Sequence, residues 1–299
     1  MRTPQTGIFR EATAHHHYLE YAVGGEPQTL KSALCAGLEG AWMSKGSVVV
    51  AFGRRAWSML APEEVPAKLA DFQEMRGYAG TRVPSTQSDV FFWIQSDRID
   101  FATDSALVID SALASVGRRL LEERGFMYHK SRDLTGFEDG TANPKGTRRL
   151  DAALIPEGEV GAGGSYALGQ TWVHDLAKFA ALPVAEQERV IGRTKADSIE
   201  LGGDAMPRDS HVSRTDVELH GVAQKIWRRS APFGGAGRHG LFFLAFACDP
   251  GRFDIQLRRM YGLAEDGLHD RLTEFSVPVS ASYWFVPSEQ ALARALGTP

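Results

Sequence analysis

Cysteine is the scarcest chemistry in this chain: of 299 residues only Cys35 and Cys248 are thiols. They lie far apart in no CxxC or CxxCH pattern, which excludes a zinc knuckle and covalent attachment of a c-type haem. Each has apolar neighbours, the setting of a reduced, buried thiol. Long apolar runs are missing as well. None approaches the roughly 18 residues of a membrane-spanning helix. Met1-Arg2-Thr3-Pro4-Gln5-Thr6-Gly7 also lacks the apolar stretch of a secretory signal, so a cytoplasmic protein is expected. Nor is one sign of charge in large excess. The formal net charge is −4 and there is no Lys/Arg cluster, which argues against nucleic acid or an anionic membrane as partner and for small molecules.

Core material is abundant. With 43% hydrophobic and 23% charged residues, the chain can fill one large domain or two of ordinary size. An apolar, aromatic run over residues 15–23 predicts a strand. Leu30, Leu34, Leu38 and Trp42 fall at helical spacing within 28–43, and the β-branched stretch 47–52 predicts a second strand. A short helical stretch runs from Pro62 to Phe72, a strand is expected over 90–94, and a long amphipathic helix over 105–124 ends at Gly125. Residues 126–129 close the unit. With the Pro62 segment set aside as an insertion, the order is β-α-β-β-α-β, the split unit of ferredoxin-like folds. Strands over 165–173, 240–247 and 280–286 and a helix over 252–261 repeat the scheme less cleanly. Val48-Val49-Val50-Ala51-Phe52 echoes Phe242-Phe243-Leu244-Ala245-Phe246 at comparable points of the two halves.

Residues 136–144, Gly136-Phe137-Glu138-Asp139-Gly140-Thr141-Ala142-Asn143-Pro144, concentrate turn formers around an acidic pair. Two glycines, a Thr and an Asn-Pro step force an irregular backbone, so Asp139 is aimed from a loop. Further on come Pro207-Arg208-Asp209-Ser210-His211-Val212-Ser213-Arg214 and Lys225-Ile226-Trp227-Arg228-Arg229-Ser230-Ala231-Pro232-Phe233-Gly234. In this order the three segments resemble the GFxDGTxNP signature, the proximal-histidine segment and the distal Arg-x-Ser/Asn-x-Pro-aromatic-Gly run of the dye-decolourising peroxidases. Length and the general run of the chain are similar to the compact bacterial class B of that family.

The resemblance implies an α+β fold of two tandem ferredoxin-like halves, their antiparallel sheets packed as in a dimeric α+β barrel with peripheral helices. Residues 1–135 would form the N-terminal half, 136–164 the signature loop and connection, and 165–299 the C-terminal half holding non-covalent haem b. The implied activity is reduction of hydrogen peroxide to water through a ferryl intermediate, with small aromatic donors such as phenols and dyes oxidised one electron at a time. Haem carriage, or iron release from haem in the manner of a deferrochelatase, is the alternative. A closed homo-oligomer is expected. Because the chain stops at Ala291-Leu292-Ala293-Arg294-Ala295-Leu296-Gly297-Thr298-Pro299, delivery into an encapsulin nanocompartment by a C-terminal extension is not.

The same resemblance assigns roles to residues. Among nine histidines, His211 is the one whose flanks match the family's axial ligand. His174 is a weaker candidate at the cofactor edge, and His15, His16 and His17 are expected as partly exposed residues alternating along a strand. A ligating imidazole works better when its second nitrogen donates to a carboxylate, and Asp270 and Glu274 both qualify. Asp139 would shuttle the peroxide proton, Arg228 would face the charge on the leaving oxygen, and Ser230 would add a polar contact. Adjacent strand residues point to opposite faces, so only one of Arg228 and Arg229 can face the haem, and the Arg-x-Ser pattern favours Arg228. Arg193 is the expected propionate partner, with Lys195 second. The strand 241–246, in particular Leu244 and Phe246, is expected to line the porphyrin. Trp227, Tyr261, Tyr283 and Trp284 are candidate electron relays, although core packing serves them equally.

Overall fold

The computed structural model describes residues 2–43 and 47–298. β1 (His15–Val23), α1 (Pro27–Met43) and β2 (Ser47–Phe52) open the first half; after an insertion, β5 (Val90–Ser96), α3 (Ile99–Leu113) and β6 (Gly117–Phe126) complete it. The insertion holds α2 (Arg54–Leu60) and a small hairpin of β3 (Met75–Arg76) and β4 (Arg82–Val83). α4 (Arg148–Ala153) lies in the connection. The second half begins with β7 (Ser165–His174), α5 (Leu176–Ala180), α6 (Val184–Ile191), α7 (His211–Thr215) and the hairpin β8 (Glu218–Leu219) with β9 (Val222–Ala223). It continues through β10 (Trp227–Arg228), β11 (Ala231–Gly234), β12 (His239–Ala247), α8 (Gly251–Met260), β13 (Ser276–Pro278), β14 (Ser282–Val286) and α9 (Glu289–Leu296).

Two expectations about helices fail in the first half. The helix expected over 105–124 stops at Leu113, and residues 117–126 are β6. Arg118, Leu120, Leu121 and Glu122 are good helix formers, but pairing with β1 from His15↔Phe126 to Val23↔Gly117 overrides local preference. The stretch from Pro62 yields only a 3-10 turn, Pro62–Glu64, and the helix of this region, α2, precedes it.

Strand pairing places β6-β1-β5-β2 side by side in the first half and β11-β12-β7-β14 in the second. The two four-stranded sheets join through β11–β6 and β14–β2, so the eight strands form a closed antiparallel ring. β12 is therefore the counterpart of β5, and the echo noted between β2 and the 242–246 run joins strands at different places in the two units. Apolar strands look alike because both bury a face. The seam between halves is tight at Phe233↔Gly125. A Cβ at Gly125 would lie 3.0 Å from Ala231 Cβ and 3.1 Å from Tyr18 Cε2, which suits a glycine.

The two-residue side-chain period sorts each strand into an inner and an outer face. Tyr18, Phe91, Trp93, Phe242, Leu244, Phe246 and Trp284 form the barrel core, where Phe91 stacks on Trp284 and Tyr18 on Phe242 at ring distances of 4.3 and 3.9 Å. Leu19, Tyr21, Val50, Phe92 and Ile94 face outward beneath α1 and α3. Contrary to expectation, His16 and His17 are both buried. His16 Nδ1 accepts from Trp93 Nε1 at 3.1 Å, and burial, aided by Arg229, pushes its pKa down to about 3. His17 faces the other way and bonds to Glu122 at 2.9 Å. No helix among the described residues is long and apolar enough to cross a membrane.

Inside the barrel lies Glu20, 1% exposed. Ser282 donates to Oε2 at 3.1 Å, while Oε1 has no partner among the described residues. Burial pushes its pKa up from 4.5 to about 7, so the folded state holds a proton that the unfolded chain releases. This contribution to stability is complete below about pH 4.5 and is lost as pH rises through about 7, on the order of 3 kcal/mol. Glu20→Gln should remove this part of the pH dependence. Melting temperatures of the two proteins, compared between pH 5 and 8, should converge at the acid end and favour the variant at the alkaline end; parallel curves would refute the assignment.

Candidate active site

Among the described residues no helix pair like α1 and α3 is pressed flat against the outer faces of β7 and β12. They form one wall of a cavity of about 200 Å³, enclosed further by α7, α8 and the loop carrying Asp139. A single water takes roughly 10–15 Å³ on this measure, so the space suits an organic group. Leu168, Gln170, Trp172 and His174 enter from β7, Leu241 and Phe243 from β12, and Phe253, Leu257 and Met260 from α8.

His211 enters from the first residue of α7. Ser210 caps that helix by accepting the Ser213 amide at 3.3 Å, which fixes where the chain turns and where the imidazole points. His211 Nδ1 lies 2.6 Å from Oδ2 of Asp270, a wholly buried carboxylate. Asp270 Oδ1 accepts the Leu272 amide at 2.9 Å as the cap of a 3-10 turn. A buried carboxylate requires such partners. With Nδ1 donating to Asp270, Nε2 is the ring nitrogen left to the cavity. Of the two acidic residues expected as partners, Glu274 is occupied elsewhere, bonded at 2.9 Å to His269.

Asp139 is held by an unusual backbone. His129, Lys130 and Ser131 all have left-handed φ angles, 39°, 60° and 72°, a conformation disfavoured for residues with a Cβ. The turn they make offers the Ser131 carbonyl to the Asp139 amide at 3.0 Å. Asp139 Oδ1 accepts the Gly140 amide at 2.7 Å and lies 3.6 Å from Nη1 of Arg228. Both side chains border the cavity. Arg229 takes the opposite face: its guanidinium stands 5.5 Å from the ring centre of Trp93 and 6.0 Å from that of Trp227, donates to the Arg10 carbonyl, and has its pKa lowered by burial.

Other expected site residues divide. Arg193 is in the wall, with Nη2 2.6 Å from Glu200 and Nη1 donating to the Ser198 carbonyl at 2.9 Å. Lys195 instead reaches Gln187 at 2.6 Å. Ser230 forms no part of the wall; its hydroxyl accepts the Leu244 amide at 3.4 Å. Leu244 and Phe246 are corrected. They point into the barrel core, and their odd-numbered neighbours Leu241 and Phe243 line the cavity, because alternation along β12 gives the two sets to opposite faces. Trp227, Tyr261 and Trp284 are buried, with Trp227 Nε1 donating to the Ile8 carbonyl and Trp284 Nε1 to Ser88; the Tyr283 hydroxyl donates to Asp254.

Sequence reasoning missed Asp133. His174, on the cavity wall, bonds through Nε2 to Asp133 Oδ1 at 3.1 Å and through Nδ1 to Ser276 at 2.7 Å. Burial acts to raise the Asp133 pKa, but bonds from His174 and Thr135 outweigh it and hold the carboxyl below its ordinary range. The Asp133-Leu134-Thr135 turn, in which Thr135 donates twice to Asp133, was the one local signal for it.

The family model for the N-terminal part of Dyp-type peroxidases matches residues 38–126, and that for the C-terminal part matches residues 130–291. The dye-decolorizing peroxidase of Mycobacterium tuberculosis is 37% identical over 246 residues, covering 81% of this chain and 73% of its own. That of Rhodococcus erythropolis is 34% identical over 250 residues, covering 82% and 73%. Among solved structures, a Dyp-type peroxidase protein from Shewanella oneidensis superimposes with a TM-score of 0.91 at 32% identity, covering 100% of this chain and 99% of that one. A variant of DypB from Rhodococcus jostii RHA1 in complex with haem gives 0.90 at 33% identity, covering 98% and 99%.

The division of β12 can be checked on the protein without cofactor. Phe246→Ala should cost about 3–5 kcal/mol in urea denaturation, as for a ring removed from a packed core. Phe243→Ala, on the cavity side, should cost less than half as much. Equal losses would place both rings in one environment.

Proposed function

The chain belongs to the Dyp-type peroxidases, and from that premise we propose how its own side chains serve the reaction. The protein is a haem peroxidase, which reduces hydrogen peroxide to water and oxidises organic donors. Residue roles rest on one juxtaposition: around a single cavity stand an imidazole bonded to a wholly buried carboxylate and an aspartate–arginine pair 3.6 Å apart.

The cavity suits haem b. His211 Nε2 is a nitrogen ligand whose ring is already oriented by Asp270, Leu241, Phe243 and Met260 suit a porphyrin face, and Arg193 offers a cation for a propionate. Held there without a covalent link, haem would supply the iron at which the peroxide O–O bond breaks. Asp139 Oδ1 is engaged by the Gly140 amide and faces Arg228, which leaves Oδ2 to take the proton from one peroxide oxygen and hand it to the other. Arg228 presents a fixed guanidinium to the charge that builds on the departing oxygen. In all, peroxide takes up two electrons and two protons and leaves as two waters; two donor molecules each give up one electron and one proton. Ser230 enters this reading as the hydroxyl that steadies the strand beneath Arg228 through the Leu244 amide. Iron release from haem is not favoured, since the relatives are peroxidases by name.

The same reading divides the chain into an N-terminal half (1–135), a connection (136–164) and a haem-holding C-terminal half (165–299), supported by the matching strand orders of the two sheets. It places the protein in the cytoplasm, where the unpaired Cys35 and Cys248 suit a reducing medium, as a homo-oligomer, which sedimentation would test.

His211→Ala should lower haem retained per protein at least tenfold after reconstitution, read from the Soret band, with partial recovery in added imidazole. An unchanged spectrum at full occupancy would remove the axial assignment. Asp139→Ala and Arg228→Leu should retain haem yet each lose about 10²–10⁴ in kcat/KM for peroxide; near-wild-type values in both would remove the pair from the chemistry.

A further inference from the structure

β10 is two residues long and sits at an edge. One side pairs with β12 through Trp227↔Phe246 and Arg228↔Ala245; the other needs a partner for the Arg228 backbone. Asn143 supplies it. Its Nδ2 donates to the Arg228 carbonyl at 2.9 Å, and its Oδ1 accepts the Arg228 amide at 3.0 Å. One carboxamide thus reproduces the double exchange of a neighbouring strand residue. Asp would keep only the acceptor, Gln would be a methylene too long, and Ala offers neither.

These bonds close a ring. Asp139 Oδ1 accepts the Gly140 amide at 2.7 Å, the Gly140 carbonyl accepts the Asn143 amide at 2.9 Å, Asn143 holds the Arg228 backbone, and the Arg228 guanidinium returns to Asp139 at 3.6 Å. Gly140 permits the tight path with φ of 79°. Without Asn143, the loop and β10 would be joined here by the side-chain ion pair alone, and one 3.6 Å contact between half-buried side chains fixes geometry less firmly than two backbone hydrogen bonds.

We propose that Asn143 is a positioning residue which, by serving as a substitute strand for Arg228, sets the relative placement of Asp139 and Arg228. The proposal rests on the reading of those two residues as the peroxide-facing pair. Asn143→Ala should speed hydrogen exchange at the Arg228 amide of the haem-free protein at least tenfold. In the haem-loaded protein it should lower kcat/KM for peroxide by about 10–100-fold, the scale of an ångström's misplacement, with the KM for a phenolic donor unchanged. Asn143→Asp, which keeps the acceptor, should preserve Arg228 amide protection and recover part of the peroxide rate. It also carries the test should Asn143→Ala fail to fold, since a wild-type rate in Asn143→Asp would overturn the need for the donor. Unchanged exchange in Asn143→Ala, or faster exchange with a wild-type peroxide rate, overturns the proposal. Should Asp139→Ala itself react with peroxide at the wild-type rate, the reading of the pair fails instead, and the exchange result still decides whether Asn143 holds Arg228.

Discussion

The pairing of β7 with β12, from Tyr166↔Ala247 to Val173↔Gly240, is the constraint on which the site depends. These two strands are the middle of the second sheet, and each must satisfy a barrel core on one face and a cavity on the other. Their register decides which residues go where. A slip of one residue would exchange Leu241 and Phe243 for Phe242, Leu244 and Phe246 and turn the cavity wall inside out. The seams between halves are single residue pairs, so specification of the second sheet comes chiefly from within it.

Legibility in the sequence followed the locality of each signal. Most strands of the barrel could be read because alternation and β-branching are written into the strand itself. β6 could not, because its residues favour a helix in isolation and only β1 and β11 make them a strand. Asp139, His211 and Arg228 stood out because each belongs to a contiguous motif. The choice of Asp270 over Glu274 was hidden, since it depends on a 3-10 turn that buries the first and leaves the second beside His269. Leu244 and Phe246 were misplaced for another reason: a two-residue period states that neighbours part company, but not which of the two faces holds the cofactor. Asp133 was marked only by its turn with Thr135, because its partner, His174, is brought to it by the fold alone.

Charge is handled asymmetrically around β10. Arg228 meets Asp139, whereas Arg229, one residue on, lies half-buried against aromatic rings with no ion-pair partner among the described residues. Its field helps keep His16 neutral. Two adjacent cations are tolerated because the strand sends them to opposite sides of the sheet, one to a polar loop and the other to the electron-rich faces of Trp93 and Trp227.

Closure of the ring has a consequence for the protein in a crowded solution. Long strands with bare edges invite other chains to extend the sheet; the ring joins β11 to β6 at one residue pair only, and the stretch of β6 before Gly125 carries exposed Arg118, Arg119, Glu122 and Arg124, charges that discourage such pairing. The strands left at a rim are β10, two residues long and covered by Asn143, and β13, three residues long and ended by Pro278. Neither is a template on which a second molecule could grow. Resistance to edge-to-edge aggregation is thus built into the same short rim elements that frame the cavity, and lengthening either one to reshape the pocket would erode the colloidal behaviour of the whole protein.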